Sequence, residues 1–136
     1  MEKQKYAAIV LAAGSGKRMN SQVHKQYLII QDRPVLYYSL KEFEDSAVDE
    51  IVLVVGKGEE KFCRKEIVDK YGISKVKAIV EGGKERYHSV FEGLKQTSDA
   101  DYVLIHDGAR PFVNQEIIRR CMLEVPEYQA CVVACR

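Results

Sequence analysis

Several absences in this 136-residue chain each close off a class of function. No apolar run approaches the roughly 20 residues that a helix needs to cross a bilayer. The amino terminus, Met1-Glu2-Lys3-Gln4-Lys5, leads into a short strand-like run rather than a signal peptide. A cytoplasmic protein with no membrane partner is expected. Neither charge is in excess: 21 Lys and Arg stand against 20 Asp and Glu, a net +1, so there is no global basic field and no nucleic-acid polymer is expected as a partner. No CxxC pair occurs among the four cysteines. Cys63 and Cys121 fall on predicted helices, Cys131 and Cys135 on a terminal strand, and they read as buried thiols rather than a metal site. His24, His88 and His106 lack the spacing of a metal cluster or a nucleophile–base pair, so none is assigned to catalysis.

Two further absences concern the stretch that carries most of the chemistry. An apolar run over residues 6–11 ends in Ala12-Ala13-Gly14-Ser15-Gly16-Lys17-Arg18-Met19, continued by Lys25-Gln26-Tyr27. Met19 stands where a dinucleotide fingerprint has its third glycine, and Val54-Val55-Gly56 ends the next strand without an acidic ribose ligand, which argues against a nicotinamide dehydrogenase. Gly16-Lys17 is followed by Arg18 instead of Ser or Thr, which argues against a P-loop ATPase. What is present is a phosphate loop in outline. Ala12, Ala13, Gly14 and Gly16 carry little or no side chain, so an anion can approach main-chain N–H groups. Lys17, Arg18 and Lys25 add charge, with Arg18 able to make forked bonds to phosphate oxygens. An ordinary strand-to-helix turn with solvated basic residues is the plainer alternative.

Periodicity predicts strands over 6–11, 50–56, 76–80, 102–106 and 130–135. Helices are predicted over 33–43, with Pro34 in the first turn and Leu36, Leu40 and Phe43 on one face, and over 59–71, with Phe62, Ile67 and Tyr71 apolar and Gly72 as the stop. A third spans 86–96, with Tyr87, Val90, Phe91 and Leu94 at helical spacing, and a fourth runs from an Asn114 N-cap to Val125. Strands alternating with helices, and no internal repeat, linker or low-complexity stretch, predict one three-layer, doubly wound α/β domain over residues 1–136. The last strand stops at Arg136, where such a fold should begin a functional loop, so the chain reads as the amino-terminal part of a longer protein.

In a parallel sheet the strand ends share one edge, which brings three loops together: the first loop, the segment from Gly82-Gly83 to Ser89, and Asp107-Gly108-Ala109-Arg110-Pro111. Arg18 and Lys25 suit a polyphosphate. Gly82 and Gly83 let backbone reach a base edge or ribose, Ser89 offers a hydroxyl, Asp107 can accept from ribose hydroxyls or help hold a divalent ion, and Arg110 suits a second anion. Against these stand structural readings: a turn cap at Asp107, a salt bridge at Arg110, a satisfied helix-start hydroxyl at Ser89.

Together Leu11 to Met19, Lys25-Gln26-Tyr27, Gly82-Gly83 with Arg86 and Ser89-Val90, and His106 to Pro111 resemble the 2-C-methyl-D-erythritol 4-phosphate cytidylyltransferases, in order and over the whole chain. The resemblance implies a Rossmann-like nucleotidyltransferase fold with a mostly parallel sheet, and transfer of CMP from CTP to methylerythritol phosphate in non-mevalonate isoprenoid synthesis. By position it implies that Arg18 and Lys25 are catalytic, that Ala12, Ala13, Gly14, Gly83, Ser89, Asp107 and Gly108 contact CTP, and that Arg110 contacts the acceptor phosphate. Mg²⁺ bridging the triphosphate and a homodimer of the full-length enzyme are implied in the same way. His24 and Lys84 depart from the family pattern, which often has proline and an acidic residue there. Family members continue beyond the position matching Arg136, so little activity is expected of this piece alone. Rival readings are a cytidylyltransferase for ribitol 5-phosphate or another polyol phosphate, a sugar-1-phosphate nucleotidyltransferase, and a non-catalytic nucleotide-binding module.

Overall fold

A computed structural model describes residues 5–12, 29–30, 33–83, 85–97, 99–107, 114–128 and 130–133. The apolar runs become five parallel strands: β1 (Tyr6–Ala12), β4 (Glu50–Val55), β5 (Val76–Glu81), β6 (Tyr102–Asp107) and β7 (Ala130–Val133), in the spatial order β5-β4-β1-β6-β7. β1 is the centre, pairing with β4 on one side and β6 on the other. Strand succession therefore reverses between β1 and β6. Between β1 and the first helix stand β2 (Ile29–Ile30) and β3 (Arg33–Pro34), a short antiparallel ladder with no counterpart in the sequence reading.

The helices are α1 (Val35–Glu44), α2 (Glu60–Asp69, whose second part, Arg64–Asp69, is π-helical), α3 (Arg86–Lys95) and α4 (Gln115–Tyr128). Pro34 ends β3 immediately before α1 rather than sitting in its first turn. It lacks an N–H and suits the end of a short edge strand equally well. Leu36, Leu40 and Phe43 are fully buried, as their spacing predicts, and Tyr37 packs against Tyr71 with ring centroids 4.7 Å apart.

α2 corrects one expectation. Phe62 is 49% exposed, and the buried face is Cys63, Ile67 and Val68. Phe62 and Ile67 are five apart, about 140° around a helix, whereas Cys63 and Ile67 are four apart and share a face. Gly72 does terminate the segment: its φ is +67°, its N–H bonds to the Asp69 carbonyl at 3.3 Å, and Ile73 N–H reaches back to Val68 at 2.9 Å. Those two bonds make a Schellman motif, with Ile73 and Val68 both buried beneath it. α4 begins at an Asn114 cap, whose Oδ1 accepts from Ile117 N–H at 2.9 Å, and runs past the expected end to Tyr128.

Alternation along the strands divides the core. Ala8, Val10, Ile51, Leu53 and Leu104 face one side, where α1, α2 and α4 pack; Ile9, Leu11, Val52, Val54 and Ile105 face the other, which among the described residues is covered by α3. The sheet is thus wound on both faces, but unevenly. α3 approaches closely because Gly93 points at the sheet, where a Cβ would come within 2.8 Å of Ile9 Cγ2. Its buried positions are Ser89 and Gly93, with half-buried Val90 packed against the same strand residues and Thr97 buried just beyond its end, while Tyr87, Phe91 and Leu94 lie outward.

At the amino edge the strand starts are tied by charge. Lys5 Nζ lies 2.7 Å from buried Glu50 and also bonds Asp99, while Lys77 Nζ bridges the same two carboxylates at 3.1 and 3.2 Å. Lys5 N–H donates to Asp101 and Tyr6 N–H to Asp49. No helix of the described residues is long and apolar enough to cross a membrane.

Candidate functional site

The reversal of strand order places β1 beside β6, with Leu11 opposite Asp107 at their carboxyl ends, and Ala12 opposite Val55 of β4. Open α/β sheets bind ligands in the crevice at such a point. Ala12 is buried where β1 stops, and Asp107 is half-buried as the last residue of β6 rather than the first of its exit loop. Gly82 follows β5 on the same edge, its N–H donating to the Val55 carbonyl at 2.7 Å. Of the expected site residues, Ala12, Gly82, Gly83 and Asp107 therefore share one edge. The β5 end stands two strand positions from β1, roughly 10 Å away. Ala13, Gly14, Gly16, Arg18, Lys25, Gly108 and Arg110 lie outside the described residues.

Gly83 packs against the first turn of α3. A Cβ there would fall 2.2 Å from the His88 Cβ, so no side chain fits while His88 keeps its place. His88 in turn closes a reciprocal capping box: Glu85 N–H donates to His88 Nδ1 at 3.4 Å, and the Glu85 carboxylate accepts from the His88 N–H. The bond assigns Nδ1 as the acceptor in this arrangement. Ser89 comes next, buried on the side of α3 that carries Gly93. The glycine pair is thereby a fixed entry to α3 and not a slack connection.

The β4 exit differs in electrostatics. Gly56 N–H donates to Glu59 Oε1 at 3.0 Å and Gly58 N–H to Glu81 Oε2 at 2.8 Å, so carboxylates of the chain already hold backbone donors that a phosphate would use. Glu60 lies against Glu81: its carboxyl is pushed up by that hydrogen bond, while Glu81 is held down, first by Gly58 N–H and then by Glu60. An anion meets repulsion there, and the β1 end is the better seat for it. A cavity of about 310 Å³ lined by Asp45, Ser46, Gln115, Ile118, Arg119 and Met122 lies between the exit of α1 and α4, touching none of the edge residues. Among the described residues no group of three or more His, Cys, Asp or Glu could hold a metal ion; at the β1/β6 end Asp107 contributes one carboxylate.

With this geometry, residues 6–136 match the model of the 2-C-methyl-D-erythritol 4-phosphate cytidylyltransferase family. The chain belongs to that family. The cytidylyltransferase of Lachnoclostridium phytofermentans is 54% identical over 130 residues, which cover 96% of this chain and 56% of that protein. The cytidylyltransferase of Alkaliphilus metalliredigens is 46% identical over 132 residues, covering 96% and 55%. Among solved structures, 4-diphosphocytidyl-2C-methyl-D-erythritol synthase of Anaerococcus prevotii aligns with a TM-score of 0.74 at 32% identity, over 90% of this chain and 51% of that one. The chain spans about half the length of the curated cytidylyltransferases it matches.

Within the cytidylyltransferase motif running from His106 to Pro111, one residue has a place that sequence reasoning did not supply. His106 is fully buried on the side of α1, with Nε2 3.1 Å from Ser39 Oγ and its ring tilted against Phe43 at 5.7 Å between centroids. It pins the end of β6 to α1, next to Asp107. Its neighbour along a continuous apolar run, Ile105, was the available signal: period-two alternation puts 104 and 106 on one face and 105 and 107 on the other.

Proposed function

We propose that this chain is the CTP-binding part of an enzyme that transfers CMP from CTP to the phosphate of 2-C-methyl-D-erythritol 4-phosphate, in isoprenoid precursor synthesis by the non-mevalonate route. The observation that carries the reading is the convergence of Ala12, Gly82, Gly83 and Asp107 on one sheet edge, at the β1/β6 reversal, in a chain of this family.

In the reaction an oxygen of the acceptor phosphate bonds to the α-phosphorus of CTP. The bond from that phosphorus to the α–β bridging oxygen breaks, and pyrophosphate leaves with the electron pair. The acceptor phosphate is already anionic near neutral pH, so the step needs alignment and relief of repulsion more than a strong base. In this reading the backbone from Ala12 through Ala13, Gly14 and Gly16 receives the triphosphate, and Arg18 and Lys25 neutralise charge as it moves onto pyrophosphate. Gly82 and Gly83 bring backbone to the base or ribose, Ser89, Asp107 and Gly108 complete the nucleotide side, and Arg110 holds the acceptor phosphate. A site with one protein carboxylate suits Mg²⁺, which usually keeps water and substrate phosphate oxygens as most of its ligands. Asp107 is the residue that would hold it, and its charge would offset that of the triphosphate. The reading takes the full-length protein to work in the cytoplasm as a homodimer.

Thermal shift of the 136-residue chain with Mg²⁺ and each of CTP, UTP, GTP and ATP tests the nucleotide. CTP should raise Tm well above the other three, and equal shifts with ATP or GTP would sink the assignment. In a transfer assay the chain alone should turn over little methylerythritol phosphate. Rapid transfer to ribitol 5-phosphate would reassign the acceptor.

A further inference from the structure

Polar groups are few in the core, and two of them meet. Among the described residues Ser39 of α1 and His106 of β6 are the polar side chains with no exposed surface at all. Their Oγ and Nε2 atoms stand 3.1 Å apart beside the Phe43 ring, on a sheet face packed chiefly with apolar residues such as Val10, Leu36, Leu40 and Leu104. Stability does not call for this arrangement. A buried hydrogen bond adds little net, because both groups are hydrogen-bonded to water before folding. An alanine and a leucine in their place would nearly keep the volume and would bury apolar surface instead.

The strand ladder shows what the bond constrains. β6 pairs with β1 as far as Leu11 opposite Asp107, but its pairing with β7 ends one residue earlier, with Val133 opposite His106. Among the described residues Asp107 thus has a ladder partner on one side, and at that last step the His106 side chain ties the strand to α1. The helix is a firm anchor: Leu36, Leu40 and Phe43 are fully buried, and Gln115 of α4 donates to the Glu42 carbonyl at 2.6 Å. Successive strand residues point to opposite faces. A bond that fixes His106 against α1 therefore also fixes the direction in which the Asp107 side chain leaves the strand.

From this we infer that Ser39 and His106 are positioning residues for the nucleotidyl transfer: through their bond, α1 holds the Asp107 carboxylate in the direction from which it takes up Mg²⁺ together with the triphosphate. The inference deepens the proposed function and rests on it. Neither side chain touches the ligand in this arrangement. Groups that orient a metal-binding carboxylate nevertheless change metal affinity by about 10–100-fold when they are removed. The effect of losing the bond accordingly belongs to the metal-dependent part of CTP uptake, separately from its effect on folding.

The test compares the 136-residue parent chain with Ser39→Ala, His106→Leu and the double variant Ser39→Ala/His106→Leu. For each, the urea midpoint is measured without ligand, and the Mg²⁺ concentration that gives half of the Tm rise is measured at saturating CTP. Each single variant breaks the bond and should lower the urea midpoint, whereas the double variant, which removes both polar groups, should recover it toward the parent value. The Mg²⁺ requirement should rise about tenfold or more in all three and stay raised in the double variant. Asp107→Asn should raise it too, and Ser39→Ala added to Asp107→Asn should change it no further. A Mg²⁺ requirement that follows the urea midpoint, returning to the parent value in the double variant, overturns the inference, because the bond is then core packing only. Single variants with the parent's Mg²⁺ requirement overturn it as well. A parent chain with no Mg²⁺-dependent Tm rise on CTP overturns the CTP reading and the inference with it, an outcome the parent alone distinguishes from the other two.

Discussion

At the scale of single residues, two glycines do opposite work. Gly93 lets α3 sit down on β1 and β4, and the atoms it faces, Ile9 Cγ2 at 2.8 Å and Val54 Cγ2 at 3.2 Å, belong to strands that cannot yield. Gly93→Ala should destabilise the chain by about 1–3 kcal/mol through overpacking, measured as a lower urea midpoint at unchanged m-value. Gly83 faces the first turn of the helix instead. Gly83→Ala collides with His88 in an exposed segment, so it should move the urea midpoint little while abolishing most of the thermal shift with Mg²⁺ and CTP. An unchanged CTP shift would remove Gly83 from the nucleotide side of the site. Ser39 is a third such point: Ser39→Ala deletes the 3.1 Å bond to His106 and should cost about 1 kcal/mol, loosening the end of β6 where Asp107 stands.

At the scale of elements, termination is written more firmly than burial. Gly72 holds φ +67° within the Schellman motif after α2, a conformation that costs an L-residue about 1–2 kcal/mol, so Gly72→Ala should lower stability by that amount in denaturant titration. The stop at Gly72, the cap at Asn114 and all five main strands were legible because each depends on residues adjacent in the chain. What α2 and α3 bury was not. Phe62 and Phe91 are the larger hydrophobes, yet Cys63 with Ile67 and Val68 in α2, and Gly93 with Val90 in α3, face inward, and at Gly93 the close approach of helix to strand leaves no room for a side chain. The candidate site divides in the same manner. That Ala12, Gly82 and Asp107 meet at one edge is a consequence of the strand–helix alternation alone. That His88 locks Gly83, that Glu59 occupies the Gly56 donor and that His106 bonds Ser39 all depend on side-chain geometry no periodicity encodes. The short β2/β3 ladder escaped for another reason, since two-residue strands carry too few residues to show a period.

At the scale of the whole molecule, the amino edge is fastened by charge. Asp99 is held down to about 2, chiefly by its hydrogen bonds to Lys5 and then to Lys77. A carboxyl depressed on folding contributes stability above its ordinary range, and that contribution is lost as pH falls from about 4 toward the folded value. Asp99→Asn should therefore flatten the pH dependence of the unfolding midpoint across that window. The difference from the parent chain should shrink in high salt, because these groups are exposed and screened. A parent chain with no acid-limb loss between those values would show that the Lys5, Lys77 and Asp99 bridges contribute nothing to stability.

The central place of β1 sets a schedule for the growing polypeptide. Its outer partner β4 is made soon after, but the residues that close its other side emerge much later: Lys5 and Asp101, which meet at the amino edge, are 96 positions apart. At synthesis rates of about 5–20 residues per second, β1 waits roughly 5–20 s as an open margin, apolar on both faces. The strand at the centre of the folded sheet is, on the ribosome, left for that whole interval with one margin open to chaperones and to mispairing.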